Sequence, residues 1–307
     1  MTKVFIDGSA GTTGLRIADR LAQRQDIEIL KLSEELRKDP NARHDALSSA
    51  DIAFLCLPDG AAIEAVALAE GSKVKIIDTS TAHRTSDGWV YGFPELTGQR
   101  EKIANSSRIA NPGCHASGFV ALVAPLVQAG ILKPDARLSC FSLTGYSGGG
   151  KKMIAEYEAD IRSPLLKAPR QYALTQQHKH LKEMVKVCGL ESTPIFCPIV
   201  ADFYSGMEVS VPLFAQDIKG SIDDIRALYQ SYYATGLVRY DDTPDPDGML
   251  SAAAFAFRDD MRLSVNGNEE RIVLTARFDN LGKGASGAAI QNMNILLGLD
   301  EATGLNV

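Results

Sequence analysis

A chain of 307 residues, 45% apolar and 23% charged, is long enough for two hydrophobic cores and has the make-up of a globular enzyme. Its formal net charge of −6 argues against nucleic acid as a main partner, because a phosphate backbone calls for clustered cations. No window reaches the ~20 apolar residues of a membrane helix. Residues 1–7 read as a strand entering a glycine turn rather than as a secretory signal, so the expected location is cytoplasmic.

The first elements alternate between strand and helix. Residues 3–7 form an apolar strand, residues 13–24 carry Leu15, Ala18 and Leu21 at helical spacing, and residues 27–32 form a second strand. Residues 51–57 (DIAFLCL) are the near-continuous apolar run of a strand buried on both faces, followed by a helix over 61–69 and a strand over 74–78. Repeated βα units predict a doubly wound parallel sheet. Later, β-type runs at 138–143, 195–200, 208–213 and 271–278 outnumber the helices between them, which predicts a sheet that is at least partly antiparallel. Ser221 is placed to cap a helix over 221–232, with Asp223 and Asp224 in its first turn. Residues 241–249 are a charged Pro/Gly loop, and residues 285–297 form a closing helix.

Gly8, Gly11 and Gly14 of GSAGTTG lie between the first strand and the first helix, with Ser9, Thr12 and Thr13 as hydroxyl donors. Glycine lets the backbone approach a phosphate, and a helix N-terminus offers free N–H groups and partial positive charge. The spacing is GxxGxxG rather than the common GxGxxG, so position in the chain carries most of the signal for a dinucleotide site. The second strand ends in Leu32-Ser33, with Arg37 and Lys38 beyond it. A small hydroxyl and cations suit a 2′-phosphate, and so NADP, whereas Glu34 or Glu35 facing the ribose would suit NAD.

The five cysteines are odd in number and contain no CxxC pair, which argues against a disulfide framework or a zinc site. Cys114 follows Asn111-Pro112-Gly113 and opens a long apolar stretch expected to be helical to about residue 132. A thiol at a helix start is stabilised as thiolate, and the same N–H groups can hold an oxyanion. The alternative is a small buried cysteine starting a core helix. For an acid/base partner, His178 and His180 form His-Lys-His, and Glu183 is set to orient His180 from the same helix face, unless the stretch is a solvated polar helix. His115 adjoins the cysteine, but helical neighbours diverge, and His44 sits among charges. Residues 144–152 (TGYSGGGKK) offer either a second anion site or an interdomain loop, and residues 280–287 (NLGKGASG) precede the last helix.

Together these motifs resemble the N-acetyl-gamma-glutamyl-phosphate reductase family in its shorter form, related to the aspartate-semialdehyde dehydrogenases and more distantly to glyceraldehyde-3-phosphate dehydrogenase. The resemblance spans nearly the whole chain: Gly8–Gly14, Asp78-Thr79-Ser80 with His83-Arg84, Tyr91 to Leu96, Asn111 to Cys114, Ser147 to Gly150, His178 to His180, and Asn280 to Asn292. It implies a Rossmann-like domain over residues 1–113, completed by residues 285–307, and an α+β catalytic and oligomerisation domain over 114–284. It implies Cys114 as nucleophile, His180 as acid/base, and Gly8–Gly14, Pro58, Ser80 and the Gly282 region lining the cofactor. It also implies a homo-oligomer, dimer or tetramer. Longer relatives carry an aromatic and Pro-Thr after the cysteine, where this chain has His115-Ala116-Ser117, and a Pro where it has Lys182. The implied activity is NADPH-dependent reduction of an acyl phosphate through a Cys114 thioester, with Arg84 and Arg108 as candidate anion contacts or ordinary surface arginines. The same chemistry on aspartyl phosphate, a non-catalytic NADP-binding sensor, and a cysteine hydrolase are the rival readings.

Overall fold

Short aliphatic runs that have no polar face need cover on both sides, and the first sheet supplies it. In a computed structural model that describes residues 1–242, 245 and 247–307, the chain divides into two compact units. The first holds Met1–Pro112 and Ala285–Leu305. Its elements are β1 (Thr2–Asp7), α1 (Thr12–Leu21), β2 (Ile27–Leu30), α2 (Pro40–Ser49), β3 (Ile52–Leu55), α3 (Asp59–Leu68), β4 (Lys75–Asp78), β5 (Val90–Tyr91), α4 (Gln99–Ala104) and β6 (Arg108–Ala110). The strands are all parallel, in the order β2-β1-β3-β4-β6-β5. Every residue of β3 is buried, as its unbroken apolar run requires. α2 went unread in the sequence because its faces differ little in polarity; it is fixed instead by Asp39, which accepts from Ala42 N–H at 2.8 Å, and by Pro40 in the first turn.

The second unit holds Gly113–Gly284 and Asn306–Val307. It runs α5 (Cys114–Gln128), β7 (Ser139–Gly145), α6 (Gly150–Glu158), β8 (Arg170–Gln171), α7 (His180–Cys188), β9 (Ile195–Ala201), β10 (Met207–Phe214), α8 (Ile222–Tyr232), β11 (Val238–Tyr240), β12 (Met261–Gly267) and β13 (Arg271–Phe278). The sheet order is β11-β12-β13-β10-β7-β9-β8, with β7/β9 and β11/β12 parallel and the other pairs antiparallel. One face of this sheet packs on α5, and the other leaves Phe141, Ile195, Phe214 and Val273 exposed. Ser221 caps α8 in a reciprocal box with Asp224. Of the 241–249 loop, residues 243, 244 and 246 lie outside the described residues.

α5 ends at Gln128, earlier than its apolar run suggested, and is buried nearly all round. Pro125 lies inside it, and proline has no N–H to give the carbonyl four residues back. That carbonyl belongs to Ala121, and the Tyr233 hydroxyl donates to it at 2.6 Å. The last helix, α9 (Gly287–Leu296), follows a π-helical turn at Gly282–Ser286. Its Ala289, Ile290 and Met293 join Ile6, Ile77 and Ile109 in the core of the first unit.

Candidate active site and dinucleotide loop

In the first unit, the loop after β1 is shaped by its backbone. Gly8 has φ +85°, and a Cβ there would lie 2.3 Å from the Cys56 carbonyl oxygen, so the turn and the passage over β3 both require glycine. A Cβ on Gly14 would lie 2.5 Å from Gly8 O, whereas one on Gly11 would meet nothing closer than 3.5 Å. Gly8 and Gly14 therefore build the turn, and Gly11 leaves room for a ligand. α1 has no side-chain cap and no acid in its first turn, so the amides of Thr12 and Thr13 face outward with the positive end of the helix. Beside it lies a cleft of about 570 Å³ lined in part by Gly8, Ser9, Leu32, Glu34, Arg37 and Lys38. Glu34 is paired with Arg37 at 2.9 Å. These residues fit a dinucleotide: amides for the pyrophosphate and cations at the end of β2.

Other sequence candidates fall at both ends of this sheet. Pro58 caps α3 just past the carboxyl end of β3. Ser80 is buried, and its hydroxyl donates to Asp78 at 2.7 Å, the carboxylate that His83 Nδ1 also meets at 2.6 Å. Ser80 thus shapes the loop after β4. Arg84 lies at the same end, with Nε on Asn111 O at 2.8 Å and a terminal nitrogen on Thr79 O at 3.0 Å. Arg108 does not join it. It opens β6, at the amino ends of the strands, and donates to the carbonyls of Val74 and Ser107 at 2.9 and 3.0 Å. The expectation that it contacts substrate is corrected by this placement, since ligands of parallel sheets bind at the carboxyl ends.

In the second unit, Cys114 is the first residue of α5, half-buried, with Gly113 as an N-cap that makes no side-chain hydrogen bond. The helix N-terminus lends it partial positive charge. Burial pushes the Cys56 thiol up to about 12 and raises Cys140 and Cys188 as well, so these three are unreactive. His180 opens α7, which packs on α5; its backbone N–H donates to His178 Nδ1 at 3.2 Å, and the two rings lie 4.7 Å apart. Glu183 is buried and accepts from Gly113 N–H at 2.8 Å, which ties α7 to the residue before the cysteine.

His115 joins the histidines. Its ring lies 5.5 Å from His180 and 5.7 Å from His178, inside the same cluster. Burial, aided by His178, holds its imidazolium down at about 3, and this rather than direction disqualifies it as a base near neutrality. His44 is on α2, on the Leu68 carbonyl. Gly282 is glycine because a Cβ would fall 1.9 Å from Arg258 O, a packing reason; its N–H donates to Asp279 at 2.6 Å. Gly284, given no role of its own in the sequence, comes against the cysteine: a Cβ there would lie 3.0 Å from Cys114 Cβ. Tyr172, Ser142 and Gln176 also escaped notice, because nothing in their spacing distinguishes them. The TGYSGGGKK stretch is the end of β7, a 3₁₀ turn and the start of α6. Among the described residues no cluster of His, Cys, Asp or Glu is arranged to hold a metal, and no helix is long and apolar enough to cross a membrane.

A nucleotide-type loop in one unit, and in the other a cysteine opening one helix with a histidine opening the helix packed on it, are the parts that a semialdehyde dehydrogenase requires. Residues 3–106 match the semialdehyde dehydrogenase NAD binding domain, and residues 114–280 match the semialdehyde dehydrogenase dimerisation domain. The fold resembles aspartate semialdehyde dehydrogenase II of Vibrio cholerae (TM-score 0.73, 15% identity, 97% of this chain and 98% of that one) and the Francisella tularensis aspartate semialdehyde dehydrogenase (TM-score 0.72, 15% identity, 97% and 100%). Curated relatives are nearer in sequence: the N-acetyl-gamma-glutamyl-phosphate reductase of Trichormus variabilis is 47% identical over 99% of both chains. That of Brucella suis is 46% identical over 96% of this chain and 99% of its own. The chain belongs to the N-acetyl-gamma-glutamyl-phosphate reductase family.

Proposed function

We propose that this protein reduces N-acetyl-gamma-glutamyl phosphate to N-acetylglutamate semialdehyde and phosphate, a step of arginine biosynthesis, with NADPH as reductant and a thioester on Cys114 as intermediate. The observation that carries the reading is Cys114 at the uncapped start of a buried helix, with His180 opening the helix packed beside it. The names of the relatives supply the acyl group.

His180 takes the Cys114 proton, and the thiolate attacks the acyl carbon while the amides at the start of α5 receive the oxyanion. The bond to phosphate breaks, leaving the acyl group on sulfur. NADPH, held by Gly8–Gly14 with Pro58 and Ser33 nearby, supplies hydride when bound. The protonated His180 steadies the charge that then develops on the acyl oxygen, and as that oxyanion collapses the C–S bond breaks, the aldehyde leaves and the Cys114 sulfur takes the proton back. Splitting the reduction in two keeps each barrier low. Arg84 is the remaining candidate for an anionic group of the substrate.

Arg37 and Lys38 at the end of β2, with Glu34 engaged by Arg37, favour a 2′-phosphate and so NADP. Arg37→Ser should then raise KM for NADP about tenfold, equivalent to losing ~1.4 kcal/mol of binding, and leave KM for NAD unchanged. The exposed apolar side chains on the open face of the second sheet favour a homo-oligomer, dimer or tetramer, and light scattering giving the monomer mass would overturn that. For the main reading, Cys114→Ser should lose phosphate-dependent NADP reduction with N-acetylglutamate semialdehyde yet still bind NADPH in calorimetry. Turnover near the wild-type rate in that variant would refute the thioester. Equal or greater turnover with aspartate semialdehyde would move the reading to that substrate, and dinucleotide binding with no thiol alkylation would leave only a sensor.

A further inference from the structure

A chain of polar groups runs beside Cys114 that the reaction above leaves unused. His115 Nδ1 lies 2.6 Å from Ser142 Oγ, and His115 Nε2 lies 2.7 Å from the Tyr172 hydroxyl. Ser142 is fully buried and His115 is 3% exposed. Counting protons sets the direction of both bonds. The buried imidazole is neutral near pH 7, so it has one N–H to give and one lone pair to offer. The Ser142 hydroxyl has His115 Nδ1 as its hydrogen-bond partner among the described residues. A buried O–H that donates to nothing is costly, so it donates to Nδ1. The ring proton then sits on Nε2 and is given to Tyr172 oxygen. The Tyr172 O–H is left to point elsewhere.

We infer that Ser142 and His115 are positioning residues that fix Tyr172 as a hydrogen-bond donor to the acyl oxygen of a substrate held at Cys114. This rests on Cys114 being the nucleophile. The loop that carries Tyr172 is built for fixed placement. Ala173 and Gln176 are held at φ 53° and 58°, uncommon for residues with a Cβ, and such backbone persists only where its surroundings impose it. The Gln176 side chain supplies that constraint. It donates to Phe196 O at 2.7 Å and accepts from Phe196 N–H at 2.8 Å, while Tyr172 N–H donates to Pro198 O at 3.0 Å. Burial and the neighbouring Cys114 sulfur hold the Tyr172 phenol above its usual value, so it keeps its proton near neutrality.

Two measurements test this. Long-range ¹H–¹⁵N correlation on the wild-type protein at pH 7.5 should find His115 as the Nε2–H tautomer; the Nδ1–H tautomer overturns the relay, whatever the variants do. Tyr172→Phe should lower kcat on the order of 10²-fold, the scale of losing one oxyanion donor, with KM changed less than about threefold. His115→Phe should lower kcat comparably, adding little to Tyr172→Phe in the double variant, and His115→Gln, which keeps an N–H, should recover part of the loss. A Tyr172→Phe variant within about threefold of wild-type kcat sinks the proposal. Failure of the thioester reading is distinguishable, because it would show as turnover in Cys114→Ser while the His115 tautomer is unaffected.

Discussion

The proline inside α5 makes a sharp prediction about a tyrosine far from it in sequence. Pro125 leaves the Ala121 carbonyl without its helical donor, and the Tyr233 hydroxyl, on a side chain 2% exposed, replaces it at 2.6 Å. Tyr233→Phe keeps the ring and its packing but leaves a buried carbonyl unsatisfied, which costs ~1–3 kcal/mol. Urea unfolding followed by far-UV circular dichroism should register that loss as a lower midpoint at unchanged slope. Tyr232→Phe is the control: that hydroxyl is exposed and reaches Gln128 at only 3.3 Å, so its removal should change stability by less than about 0.5 kcal/mol. The decisive variant is Pro125→Ala, which returns an N–H to the carbonyl of Ala121. In that background Tyr233→Phe should cost little, giving a coupling of about 1 kcal/mol or more in the double-mutant cycle. If Tyr233→Phe matches wild type, or costs the same with and without Pro125, the substitution of phenol for amide is wrong.

Gly284→Ala should lower kcat by about tenfold, since a Cβ 3.0 Å from Cys114 Cβ and from Asp279 O displaces the sulfur by tenths of an ångström, where ~1 Å costs about 10²-fold; steady-state kinetics with unchanged activity would count against the contact. Acid should selectively weaken the fold through His115. Its folded pKa of about 3 lies below the ordinary 6.5, so its contribution is present above pH 6.5 and is lost as pH falls toward 3. Between pH 6.5 and 5 that is about 2 kcal/mol at 1.36 per unit. The stability gap between wild type and His115→Phe should narrow by about that amount over the interval, and a gap independent of pH would refute the burial argument.

The parallel sheet, the glycine turn after β1 and the helix start at Cys114 were legible because each depends on local signals: unbroken apolar runs, glycine, and a Pro-Gly pair before an apolar helix. The capping box of α8 was legible for the same reason. Elements whose cause is tertiary were not. α2 lacks a marked apolar face, and β5 has only two residues, Val90 and Tyr91, fixed by pairing with β6. Within the site, Arg108 misled because the three-residue strand it opens carries too weak a signal to be read, so the charge could not be set at the amino end of the sheet. The place of His115 was not read because it depends on Ser142, Tyr172, His178 and His180, all distant in the chain. Gly284 and Gly282 look alike in NLGKGASG, and only the backbone of Arg258 and the side chain of Cys114 tell them apart.

α9 has a consequence for synthesis. The ribosome makes all of Gly113–Gly284 before the helix whose Ala289, Ile290 and Met293 lie against Ile6, Ile77 and Ile109. The part that begins first therefore finishes last, with an apolar sheet face waiting uncovered while a complete folding unit is translated within it. At ~5–20 residues per second, that wait is roughly ten to thirty-five seconds, during which the first sheet lacks the helix that completes its core.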